Sequence, residues 1–234
     1  MTKEEKLKKL ELPVDDATSK TLDINGNPSS FSNNVDLLAK NAKLPLTEEH
    51  IEEILKCSND PIYFIENYVK IFDLDKGWTL PTLRKYQRDI IKNYKTNRFN
   101  QIMAGRQTGK STTIVMCILW EIIFNKDTVV GMCAHKMAMA KENMARLQEY
   151  FKNVPVWLKP GVVRWHQTYI TLDNGSRVYI STATKDAFRG LGIKILFIDE
   201  CVSKDSIVTI QDDNGIVFDI TIEELYKRYH GLES

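Results

Sequence analysis

Ala104-Gly105-Arg106-Gln107-Thr108-Gly109-Lys110-Ser111 stands between the short segment Phe99-Asn100-Gln101-Ile102-Met103 and the apolar run Thr112 to Phe124. A glycine-bearing turn closed by Gly-Lys-Ser at a strand-to-helix junction turns successive backbone N–H groups inward. It also places a helix N-terminus, which favours negative charge, at the turn. That is a recipe for holding a triphosphate, with Gly105, Arg106, Gln107, Thr108, Gly109, Lys110 and Ser111 as the cradle. The strict pattern G-x-x-x-x-G-K-[ST] asks for Gly where Ala104 stands. Alanine keeps such a turn when its φ stays negative. Arg106 lies inside the loop, where a guanidinium can reach the γ-phosphate and stabilise charge in the transition state. The competing reading is an ordinary loop ahead of a buried helix, with no task for Lys110.

A second motif, Lys194-Ile195-Leu196-Phe197-Ile198-Asp199-Glu200, decides between them. Four apolar residues predict a buried parallel strand whose C-terminal end presents two carboxylates to a neighbouring phosphate site. Asp199 together with the Ser111 hydroxyl would hold Mg²⁺, and Glu200 would polarise the attacking water or accept its proton. Such a run alone is common. Paired with Lys110-Ser111 upstream it is specific, and the pair predicts an α/β fold of the P-loop NTPase kind, a mostly parallel sheet flanked by helices.

The 234 residues, 43% hydrophobic and 27% charged, suit a globular chain of one or two domains. The longest apolar run contains Glu121 and is too short to span a bilayer, and Met1 to Leu10 is charged rather than signal-like, so an intracellular protein without membrane contact is expected. Cys57, Cys117, Cys133 and Cys201 lack metal-site spacing and are expected as thiols. A net charge of +1 gives no global basic field.

Residues 1–45 are polar, broken at Asn25-Gly26-Asn27-Pro28, and read as a flexible arm with a short charged helix at its head. From Leu46, Thr47-Glu48-Glu49-His50 predicts a helix start with Ile51, Ile54 and Leu55 at helical spacing. A second helix is predicted over Asp60 to Val69, with Pro61 in its first turn. Leu83 to Ile91 reads as a third. In it Gln87 is the candidate to read an adenine edge, since one amide offers donors and acceptors; a solvent-facing glutamine is the alternative, as a solvated face is for Arg84, Lys85 and Arg88. Asp127 to Ala134 predicts a strand with His135 at its end, more plausibly a structural histidine than a site residue. A long helix follows over Met137 to Asn153, and a β-hairpin spans 168–181 around Asn174-Gly175.

With these motifs in place, the sequence across Asp60 to Glu200 resembles the ATPase domain of the tailed-phage terminase large subunit, the motor that packages DNA into capsids. The resemblance rests on Leu83 to Ile91, Gly105 to Ser111, Val130 to Lys136, Leu158 to Val162, Leu172 to Ser176 and Ile195 to Glu200. It implies an arginine-finger role for Arg106, an adenine motif at Gln87, ATP and Mg²⁺ as cofactors, and double-stranded DNA, a small terminase subunit and a portal as partners. It also implies action in the cytoplasm of an infected host cell. The coupling motif and metal-dependent nuclease of that family have no counterpart after Glu200.

Cys201 to Tyr229 is instead similar to the N-terminal end of an intein: a nucleophilic Cys, a strand such as Ser206 to Gln211, a turn, a returning strand and an amphipathic Ile-Glu-Glu-Leu helix. In that chemistry the Cys201 thiol attacks the carbonyl of Glu200 and forms a thioester, which a second nucleophile intercepts. The alternative is a small buried cysteine after a strand. The expected organisation is therefore an arm at 1–45, the first part of an ATPase at 46–200 and a splicing fragment at 201–234. The missing splicing blocks would come from a separately encoded partner carrying the complementary intein and terminase half. A truncated continuous intein precursor is the rival, although His230 to Ser234 follows a helix as a natural terminus would. The acidic residues Asp212, Asp213, Asp219, Glu223 and Glu224 suggest a basic docking face on the partner. Catalytic candidates are thus Arg106, Lys110, Glu200 and Cys201, with ATP turnover expected to be incomplete before the halves join. A helicase-like or other P-loop ATPase with a non-splicing extension is the second function class.

Overall fold

The structure, a computed structural model, describes residues 5, 9–12, 14–15, 20–26, 29–73, 75–105, 108–184, 186–199, 207–211 and 217–229. Short antiparallel pairs open it: β1 (Val14–Asp15) with β2 (Lys20–Thr21), and β3 (Ser30–Phe31) with β4 (Asn34–Leu38). Polar and without a sustained period, this stretch reads as a flexible arm. Yet Leu10, Leu12 and Leu37 are buried in the main core, and Ala39 bridges Val162. Leu10 and Leu12 precede β1 and Leu37 lies in a short two-stranded pair; leucines isolated in this way leave no periodic signal, so their burial is invisible locally.

Helix α1 (Glu48–Asn59) starts in a capping box, with the His50 amide donating to Thr47 Oγ1. Its buried positions are His50, Glu53 and Cys57, whereas Ile51 and Leu55 are exposed. Ile54 does pack against the core, so the apolar residues mark the inward face only in part. Buried Glu53 explains the difference: it accepts hydrogen bonds from Tyr63 and Tyr68 hydroxyls at 2.9 and 2.6 Å. Helix α2 (Pro61–Tyr68) has Asp60 as its cap, with Oδ1 accepting from the Ile62 amide. The hairpin of β5 (Ile71–Asp73) and β6 (Gly77–Thr79) then leads to α3 (Lys85–Thr96) and α4 (Lys110–Phe124).

Every residue of α4 from Thr113 to Ile123 is buried, because a helix apolar on all sides is stable only when surrounded. It packs against α2, α3 and α5 (Met137–Asn153), and α5 in turn lies on the central sheet. Strands β7 (Val129–Ala134), β8 (Val162–Trp165), β9 (Tyr169–Leu172), β10 (Arg177–Thr182) and β11 (Ile195–Asp199) form that sheet in the order β11-β7-β10-β9-β8. β7 pairs parallel with both β10 and β11, while β9 pairs antiparallel with both β10 and β8. The sheet is therefore mixed rather than mostly parallel: the hairpin at Asn174-Gly175 is itself part of it. Gly175, at φ 85°, makes that turn, and Asn174 Nδ2 donates to Ile122 O at 2.8 Å, tying the turn to the end of α4.

Two expectations around β11 change. It is parallel as predicted, but Leu196 and Ile198 are 53% and 46% exposed, so one face is uncovered. The strand predicted at Phe99 to Met103 is absent: the segment is irregular, with Phe99 and Met103 exposed and Ile102 against the core. A strand exists only where a neighbour takes its hydrogen bonds. Among the described residues none lies beside this segment or along the second edge of β11.

Residues after the second motif form their own two-stranded sheet, β12 (Ile207–Gln211) with β13 (Val217–Thr221), followed by α6 (Ile222–Tyr229). Cys57, Cys117 and Cys133 are buried thiols.

Candidate phosphate and metal site

Gly109 is the N-cap of α4 and adopts φ 83°, ψ 21°, a left-handed conformation natural to glycine. It turns the chain so that Lys110 and Ser111 begin the helix. Lys110 Nζ donates to Ala104 O at 2.9 Å, back across the loop, and Thr108 Oγ1 donates to Gly105 O at 3.0 Å. The Tyr86 hydroxyl donates to Thr108 O, pinning the loop to α3. Arg106 and Gln107 lie outside the described residues, as do Glu200 and Cys201.

Ser111 Oγ donates to Asp199 Oδ1 at 3.0 Å. The two residues are far apart in sequence, and the parallel register of β11 on β7, with Asp199 opposite Ala134, brings the strand end to the helix start. The other carboxylate oxygen is also held: Asn143 Nδ2, from the buried face of α5, donates to Asp199 Oδ2 at 2.8 Å. Arg146 Nη1 donates to Asn143 Oδ1 at 3.2 Å and so fixes which way that amide points. The Ser111 hydroxyl and the Asp199 carboxylate are hard oxygen donors. Among the described residues no group of three or more His, Cys, Asp or Glu side chains gathers. A hydroxyl and one carboxylate are the protein share of an Mg²⁺ site completed by water and phosphate oxygens, so the donor set fits that ion.

Gln87 faces the loop but already has partners. Its Oε1 accepts from the Arg84 amide at 2.9 Å, and its Nε2 donates to Thr113 Oγ1 at 3.2 Å. Thr113 Oγ1 donates onward to Gly109 O at 2.8 Å. One N–H and one acceptor site of the amide remain. A cleft of about 860 Å³ runs past Gln87, Thr108 and Gly109 to Phe72 and Trp78 on the β5–β6 hairpin. His135 is exposed just beyond the end of β7.

Residues 101–209 match the family model for the terminase large subunit, T4likevirus-type, N-terminal. This stretch is terminase-like. It includes the Gly109-Lys110-Ser111 turn, α4, the central sheet and Asp199, and it runs past Glu200-Cys201 into β12. The fold is similar to the crystal structure of the HK97 bacteriophage large terminase, with a TM-score of 0.50 at 16% identity. The likeness covers 76% of this chain and 36% of that one, so the chain spans about a third of the solved terminase. No helix among the described residues is long and apolar enough to cross a membrane.

Asn143, Arg146, Tyr86 and Thr113 were not legible as site residues. Asn143 left a trace: it shares a face with Ala140, Met144 and Leu147 of α5, all buried. A lone amide on an apolar stripe asks for a buried partner.

Proposed function

We propose that this chain is the ATP-binding portion of a DNA-packaging motor of the terminase large-subunit kind. The observation that carries the reading is the 3.0 Å contact between Ser111 and Asp199, which couples the loop that would hold phosphates to the strand end that would hold the metal. Backbone N–H groups at the start of α4 and the Lys110 ammonium would bind the β- and γ-phosphates. Ser111 and Asp199 would hold Mg²⁺, which supplies charge neutralisation at the transferring phosphoryl group. Glu200, next after Asp199, would orient the attacking water, and Arg106 would stabilise charge as the γ-phosphate departs. DNA, a small terminase subunit and a portal would be the partners of the complete motor, working in the cytoplasm of an infected cell.

Lys110→Ala should abolish ATP binding measured by calorimetry, and Glu200→Gln should preserve binding while stopping hydrolysis in the assembled motor. Tight ATP binding by Lys110→Ala would remove the phosphate-loop assignment. Turnover by this chain alone should be poor. The segment before the loop lacks a strand neighbour among the described residues, and a misplacement on the order of 1 Å costs roughly a hundredfold.

The same proposal makes residues 201–234 the first fragment of a split intein. Its support is the sequence at Cys201, together with the β12–β13 pair and α6 in the predicted order. The thiol would take over the acyl bond of Glu200, its proton passing to the released Cys201 amine, and a Cys, Ser or Thr of the partner half would then accept that acyl group. Mixed with a partner that carries the complementary intein half, the unmodified chain should give ligated product by mass spectrometry and Cys201→Ala none. Product from Cys201→Ala would leave this segment a plain extension of an ATPase.

A further inference from the structure

The far end of the cleft belongs to a hairpin that phosphate binding leaves without a task. In the β5–β6 register Phe72 lies opposite Trp78, so both rings project from one face, edge to face with centroids 5.7 Å apart. They are 60% and 42% exposed, while neighbouring Ile71 packs against the core and anchors the hairpin. Both rings line the cleft that reaches Gly109. One end of this cleft is lined by Thr108 and Gly109, the turn directly before the helix start whose backbone N–H groups suit phosphate, and the other offers aromatic faces, which suit a flat ring. A nucleotide joins those two chemistries in one molecule.

We propose that Trp78, supported edge-on by Phe72, is the stacking platform for the base of the nucleoside triphosphate whose phosphates occupy the loop. The inference rests on the nucleotide-binding reading above and deepens it by assigning the base subsite. A π-face accepts any base, so this platform supplies affinity. Choice of base falls to the N–H and acceptor site that Gln87 retains. The hairpin precedes α3, whose Tyr86 and Gln87 are bonded to the loop and to Thr113. Base and phosphates are therefore held by neighbouring parts of one bonded assembly.

The test is calorimetry on the full chain with Mg-ATP and with Mg-tripolyphosphate, which has phosphates and no base. Trp78→Ala should weaken ATP binding on the order of tenfold and leave tripolyphosphate affinity unchanged, and Trp78→Phe should restore most of the loss. ATP should also quench protein fluorescence in the unmodified chain and much less in Trp78→Phe, because Trp120 and Trp157 are buried and the half-buried Trp165 packs on Phe151 from β8, the sheet edge opposite β11. Equal loss of ATP and tripolyphosphate affinity in Trp78→Ala would make the residue structural and overturn the platform. Unchanged ATP affinity in that variant, with tripolyphosphate still bound, would overturn the platform alone. Failure of the unmodified chain to bind tripolyphosphate would remove the phosphate-loop reading and the platform with it.

Discussion

Replacing Asn143 with alanine tests whether α5 orients the Asp199 carboxylate that we propose as a Mg²⁺ ligand. The substitution removes the donor 2.8 Å from Asp199 Oδ2 and the acceptor that Arg146 uses at 3.2 Å. A hydrogen bond to a charged group contributes about 1.5–3 kcal/mol. Asp199 is only half-buried, so water can replace the donor in part, which places the expected stability loss near 1.5 kcal/mol in urea denaturation. The more telling measurement is the Mg²⁺ dependence of ATP binding. With one oxygen freed, the carboxylate samples other rotamers, and Mg-ATP affinity should fall several-fold while metal-free ATP affinity stays constant. If stability drops and the Mg²⁺ dependence is unchanged, Asn143 is a packing residue and the orientation argument fails.

Gly109→Ala should cost roughly 1–2 kcal/mol for an L-residue forced to positive φ, with a further strain because its Cβ would meet Gln87 Nε2 at 3.1 Å; unchanged thermal stability would mean the turn is not held at φ 83°. Lys159 provides a pH test. Its buried Nζ donates to the carbonyls of Phe151, Lys152 and Val154 at the end of α5, and burial pulls its pKa down to about 7, opposed by Asp36. Between that value and its ordinary one the unfolded chain binds the extra proton, so stability should rise with pH, by up to about 1.4 kcal/mol per unit. The clean window is about pH 7 to 8; above it the unfolded chain begins to lose the protons that buried Cys117, and then Tyr68 and Tyr94, all with raised pKa values, keep in the folded state, which acts in the opposite direction. Denaturation midpoints at about pH 7 and 8 should separate the unmodified chain from Lys159→Met, which should lack the rise.

Features encoded in a few consecutive residues were readable: the Gly-Lys-Ser turn, the Asn174-Gly175 hairpin, the Asp60-Pro61 helix start and the apolar run into Asp199. What required the third dimension was not. The inward face of α1 is set by the two tyrosine hydroxyls that reach Glu53, partners ten and fifteen residues away. The apolar residues at 99–103 carry a strand composition, but a strand depends on a neighbour that the pattern cannot supply. Asn143 reached the site because α5 lies across β7 and β10, a packing fact without local signature. Trp78 is linked to Gly109 only through the cleft that both residues line, a relation without local sequence signature.

The bare side of β11 has a consequence for the protein as a solute. Among the described residues no strand takes the outer edge of β11, which is flanked by exposed Leu196 and Ile198; such an edge is a template for an extended chain, and natural sheets blunt such rims with lysine, proline or a bulge. The five residues from Ile195 to Asp199 carry none of these. Dispersal of the chain in water is therefore a contest of concentration against time, in which each encounter between copies can zip one rim onto another unless a cognate strand arrives first.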